Sequence, residues 1–136
     1  MLFGEWAKVQ HSLEYNALPD WFIVFDVYDK KTKTFLAPEH ALKTAQEMGF
    51  YTTQIIGTGK YSYDMLPGLI DARKSSFGDV VNEGIVIKNR ASPENNGSIW
   101  TNCAKYVCQE FLDNFEDDSH WTSHRMKENR LKGWKK

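Results

Sequence analysis

Asp20-Trp21-Phe22-Ile23-Val24-Phe25-Asp26-Val27-Tyr28-Asp29 is the stretch on which the reading of the chain turns. Its aromatic and β-branched residues predict a strand. Side chains alternate across a pleated strand, so one face carries Trp21, Ile23, Phe25 and Val27 and the other Phe22, Val24, Asp26 and Tyr28. Both faces are mostly apolar, which predicts a central strand covered on both sides. Asp26, an acid at an interior position, then needs either a partner or a task. It is the first candidate for a site.

Working outward, Asp29-Lys30-Lys31-Thr32-Lys33 reads as a tight turn into Thr34-Phe35-Leu36, closing a hairpin whose turn lysines are taken as solvated. Pro38, Glu39 and Gly49 bracket a helix in which Ala41, Leu42, Ala45 and Met48 recur at helical spacing. A second helix is expected from near Asp64, with Pro67 in its first turn and Met65, Leu66, Leu69 and Ile70 buried. Residues 82–89 predict a short strand, Arg90 to Ser98 a polar loop, and Trp100 to Cys108 a further strand placing Cys103, Lys105 and Val107 on one face. Residues 109–118 carry five acids and no base, whereas 119–136 carry six bases and one acid and predict a basic helix. On the upstream side, Leu2 to Ala7 reads as a strand, and residues 10–20 as an ordered connection ending in the turn signal Pro19-Asp20.

With 136 residues, 41% of them hydrophobic, the chain is expected to form a single domain over 1–136. Seventeen basic against eighteen acidic side chains give a net charge of −1, so no global charge draws it to nucleic acid or to an anionic membrane, and any such contact must come from a local patch. Cys103 and Cys108 point to opposite faces of one strand, which argues against a disulfide between them and for a reducing, cytoplasmic setting. No long apolar run or export signal is present, so no membrane partner is expected.

Two familiar site patterns fail on their spacing. Gly57-Thr58-Gly59-Lys60 lacks the glycine at 54 and the Ser or Thr at 61 that a phosphate-cradling loop requires, having Gln54 and Tyr61 instead. His120 and His124 could share a helix face, but Trp121 stands where a zinc protease carries its glutamate. More informative are three strands that each deliver a polar group from an apolar setting: Glu5 after Gly4, Glu83 before Gly84, and Lys105 between Ala104 and Tyr106. Carboxylates offer hard oxygen ligands to Mg²⁺, a lysine neutralises phosphate, and an aromatic such as Phe25 stacks on a base. Converging, they would make a nucleotide site.

Phe3-Gly4-Glu5-Trp6, Phe22 to Asp29, Glu83-Gly84-Ile85-Val86-Ile87-Lys88 and Ala104-Lys105-Tyr106-Val107 resemble, in order, motifs III, IIIa, IV and V of the ATP-dependent RNA ligases. These enzymes belong to the covalent nucleotidyltransferase superfamily. The resemblance implies an α+β fold, mainly antiparallel sheet with packed helices, corresponding to the later part of the nucleotidyltransferase domain. It implies ATP and Mg²⁺ as cofactors and RNA ends as partners. By the same resemblance Glu5 contacts the nucleotide ribose, Phe25 stacks on adenine, Glu83 serves the metal and Lys105 holds the α-phosphate.

Two departures follow from the same comparison. Motif V offers two basic residues spaced by one, and here the earlier position is Cys103. The motif I lysine, set in Lys-x-Asp-Gly and attacking the α-phosphate of ATP, is absent, so no catalytic nucleophile is assigned. The expectation is a truncated or split RNA ligase whose lysine resides on an upstream polypeptide. The alternative is a non-catalytic module binding adenine nucleotide or RNA. Arg125, Arg130 and Lys132 of the basic tail are candidate RNA contacts.

Overall fold

In the computed structural model, the opening stretch becomes the strand around which its sheet is built. β2 (Phe22–Asp29) pairs with β1 (Leu2–Trp6), with β3 (Thr34–Phe35) and with β4 (Tyr51–Thr52). The structure describes residues 1–70, 75–89, 103–113 and 126–133. They divide into two compact units, each assembled from non-contiguous segments: Met1–Glu5, Phe22–Thr58 and Val86–Lys105 in the first, and Trp6–Trp21, Gly59–Ile85 and Tyr106–Lys136 in the second.

In the first unit the predicted hairpin forms, with Tyr28 opposite Phe35 and Asp29 opposite Thr34 in antiparallel register. β4 runs parallel to β2, with Ile23 opposite Tyr51. β1 lies antiparallel to β2: Met1 and Tyr28 exchange backbone hydrogen bonds, while Gly4 approaches Ile23. A Cβ at Gly4 would stand 2.6 Å from the Ile23 carbonyl oxygen and 2.7 Å from the Phe22 ring, so only glycine lets the two strands meet there. α1 (Pro38–Glu47) starts at the expected proline, with Glu39 in its first turn. Its Ala41 and Ala45 pack on Val24 and Val27 with Leu2, Phe22 and Leu36 around them. The small alanines bring the helix backbone close to the sheet. Leu42 is half-buried, but Met48, expected in the apolar stripe, lies past the last turn and is 59% exposed.

In the second unit a 3-10 turn (Tyr63–Met65) leads into α2 (Leu66–Ile70), which buries Leu66 and Ile70. Met65, expected to be buried, is exposed because it belongs to the turn preceding the helix. Ile70 joins Cys108 and Phe111 in a core lined by Leu13, Leu69, Val81 and Ile85. Phe111 sits on α3 (Gln109–Asp113). Residues 10–20 are ordered as expected, with Leu18 1% exposed.

The basic helix expected over 119–136 is not what its described part forms. Residues 126–131 form no helix and are bridged, Val9 to Glu128 and Leu18 to Leu131, with a turn at 132–133. Asn129, 4% exposed, pins this segment down. Its Oδ1 accepts from the Tyr15 amide at 2.8 Å, its Nδ2 donates to the Ala7 carbonyl at 2.9 Å, and its own amide donates to the Lys8 carbonyl at 2.9 Å. Pairing across more than a hundred residues of sequence overrode a local composition that favours helix. Arg125, His120, His124, the loop from Arg90 to Ser98 and the start of the strand expected from Trp100 lie outside the described residues.

β5 (Gly84–Lys88) and β6 (Cys103–Val107) form a separate two-stranded sheet. Gly84 lies against Tyr106 and Val107, and the Cys108 amide donates to the Glu83 carbonyl at 2.9 Å, so the strands run antiparallel. A Cβ at Gly84 would collide with the Tyr106 carbonyl oxygen. The fold is α+β, with mainly antiparallel sheets. Among the described residues no helix is long and apolar enough to cross a membrane, and Cys103 and Cys108 are free thiols, the first exposed and the second buried.

Candidate functional site

Along β2 the burial pattern singles out Phe25. Ile23 and Val24 before it and Asp26 and Val27 after it are all buried, while Phe25 is 36% exposed. An aromatic ring left open to solvent in the middle of a core strand is available to a flat ligand. Next to it, the acid with no evident role finds a partner: Lys88, at the end of β5, places its Nζ 2.7 Å from Asp26 Oδ1. The same ammonium donates to the Phe25 carbonyl at 3.0 Å and stands 5.9 Å from the centre of the Phe25 ring, within cation–π range. Both charged side chains are largely shielded, 22% exposed for Lys88 and 12% for Asp26. Removing one partner would therefore strand a poorly solvated charge. One lysine thus fixes the backbone and the ring of Phe25 to β5.

Cys103, at the start of β6, completes this neighbourhood. Partial desolvation raises its thiol pKa above the ordinary value, the Lys88 ammonium pulls it down and Asp26 pushes it further up. The thiol is accordingly protonated at neutral pH and supplies no cationic charge in place of a lysine. Lys105 follows two residues later, exposed on the same strand and within the same unit. Glu5 is exposed near the end of β1, directly after the glycine that brings β1 against β2. Glu83 immediately precedes β5 and belongs to the second unit. The first unit thus holds Glu5, Phe25 and Lys105 of the expected nucleotide contacts, and adds Asp26, Lys88 and Cys103 beside Phe25.

Of the candidate RNA contacts, Arg130 forms an exposed ion pair with Glu14 at 2.8 Å, Lys132 is exposed, and Arg125 is not among the described residues.

A family model described as RNA ligase matches residues 1–107. The chain belongs to the RNA ligase family. Comparison with curated proteins and with solved structures returned no match. The matched stretch of the RNA ligase model contains Glu5, Phe25, Asp26, Glu83, Lys88, Cys103 and Lys105, whereas Arg125, Arg130 and Lys132 lie beyond it.

Lys88 is the residue that sequence reading passed over as a site residue. Its signals were a position closing the Glu83 to Lys88 block and the unpaired acid at 26, but no local pattern links residues 62 positions apart. Among the described residues no group of three His, Cys, Asp or Glu side chains gathers around one point. One carboxylate is nevertheless compatible with Mg²⁺, which is commonly held by one or two carboxylates together with substrate phosphates and water.

Proposed function

We propose that this member of the RNA ligase family binds the adenylate portion of ATP at Phe25 and serves the joining of RNA ends by adenylate transfer. The observation that carries the reading is the exposed Phe25 ring held between buried neighbours by the Asp26–Lys88 pair. Adenine stacks on the ring, Glu5 accepts hydrogen bonds from the ribose, and Lys105 neutralises the α-phosphate. With a neutral thiol at Cys103 and Lys88 engaged by Asp26, that neutralisation rests on Lys105. On the same reading Glu83, in the second unit, would offer a carboxylate oxygen to Mg²⁺, an ion that offsets phosphate charge.

Adenylate transfer begins when a lysine amine attacks the α-phosphorus. A P–N bond forms, the P–O bond to pyrophosphate breaks with its electrons leaving on pyrophosphate, and the amine gives up a proton. These 136 residues contain no Lys-x-Asp-Gly. The nucleophile therefore comes from polypeptide outside them, and this chain supplies the nucleotide contacts. The AMP then passes to an RNA 5′-phosphate, and a 3′-hydroxyl displaces it.

Incubation with Mg²⁺ and ATP labelled in the α-phosphate tests the division of labour. No covalent AMP is expected on this chain alone, and label is expected on a segment bearing Lys-x-Asp-Gly when the two are mixed. An acid-labile AMP adduct on this chain by itself would overturn it. Nucleotide binding without adenylate transfer in the mixture would instead favour a non-catalytic binding module, the role that a neutral Cys103 suits.

A further inference from the structure

We infer that the turn between β2 and β3 is a docking site for the phosphodiester backbone of the RNA substrate, a reading that rests on the proposed RNA-joining function. The turn presents Lys30, Lys31 and Lys33, three exposed cations in four residues. Ion pairs within the described residues engage Lys8, Lys43, Lys88 and Arg130, but none engages these three.

The turn is also built to hold its shape. Asp29 Oδ1 accepts from the Lys31 amide at 2.8 Å, and that backbone hydrogen bond lowers the Asp29 pKa. The hydroxyls of Thr32 and Thr34 are hydrogen-bonded at 2.8 Å. Lys33 takes a left-handed backbone conformation, φ 57°, which sets it apart from an ordinary flexible loop residue. Beneath the turn, Phe35 packs against Tyr28 at 5.1 Å and Phe3 at 5.3 Å between ring centroids. Within residues 28–35 the one acid, Asp29, is held by the Lys31 amide, so the turn itself is cationic. A polyanion is the complementary partner.

Position supports RNA as that partner. Lys30 lies five residues beyond Phe25, in the turn just past the end of β2, at most about 16 Å away at roughly 3.3 Å per residue. That span is about five nucleotides of a stacked strand at about 3.4 Å each. A strand whose 5′ end is joined to the adenylate bound at Phe25, and which runs along β2, would reach the lysines with its backbone.

The test compares wild type with K30Q/K31Q/K33Q, titrating each with a 5′-phosphorylated single-stranded RNA 20-mer over a salt series and with ATP and Mg²⁺. A second variant, K8Q/K43Q/K60Q, removes the same net charge elsewhere. Each lysine–phosphate contact contributes about 0.7 to the salt slope on single strands, so the turn variant should lose about 2 in slope. Raising salt fourfold should then cost wild type roughly twentyfold more affinity than the variant. ATP binding should be the same in all three proteins. Equal RNA affinity and slope in wild type and the turn variant, or an equal loss in the second variant, would overturn the site while leaving the functional reading standing. Binding of neither RNA nor ATP by wild type would overturn both.

Discussion

At the scale of single residues, the account hinges on Lys88 doing three things for its neighbours: pairing with Asp26, capping the Phe25 carbonyl and facing the Phe25 ring. A partly buried pair gives little net stability but is costly to break from one side. Asp26→Leu or Lys88→Met alone should each lower stability by about 2 kcal/mol, and the double variant should cost less than the sum. Urea denaturation of the four proteins checks this, and strictly additive losses would mean that the pair does not interact. Asp26 also shows the limit of local reading. A buried acid announced that a partner was needed, but the sequence offered several lysines, and only the meeting of β2 with β5 selects Lys88.

At the scale of elements, what could be read in advance were those whose signals are local. The β2–β3 hairpin follows from an aromatic strand and a lysine-rich turn, and α1 from Pro38, the spacing of Ala41 and Ala45, and Gly49. The segment 126–133 departs from the expected helix because its hydrogen-bond partners, among them Ala7, Lys8 and Tyr15, lie far away in sequence. Glycines that look unremarkable in sequence prove to be sites of close approach. Gly84→Ala would force a Cβ onto the Tyr106 carbonyl oxygen, so β5 and β6 must separate. A loss of about 1–3 kcal/mol is expected, the range for overpacking, and thermal unfolding measures it. An unchanged midpoint would show that the strands part freely.

On the scale of the whole molecule, each unit draws on distant segments, so few local changes stay local. Asn129 ties residues 126–133 to residues 7–15 through four hydrogen bonds, the one from Nδ2 to the Val9 carbonyl being long at 3.5 Å. Asn129→Ala removes the three side-chain bonds and takes a partner from the part-buried Tyr15 amide and Ala7 carbonyl, which should cost about 2 kcal/mol. Hydrogen exchange should then quicken at Tyr15 and the amides of 127–132, and protection equal to wild type would contradict the role given to Asn129. The chain belongs to the RNA ligase family, and in the function proposed for it the exposed Phe25 ring is the platform on which adenine stacks. The most direct measurement is the affinity for ATP with Mg²⁺ of wild type and Phe25→Ala, with unfolding curves confirming that both are folded. Loss of a stacking platform worth about 1–3 kcal/mol per base predicts binding weakened roughly five- to 150-fold; equal affinity in the two proteins would contradict the account and return Phe25 to an ordinary strand residue.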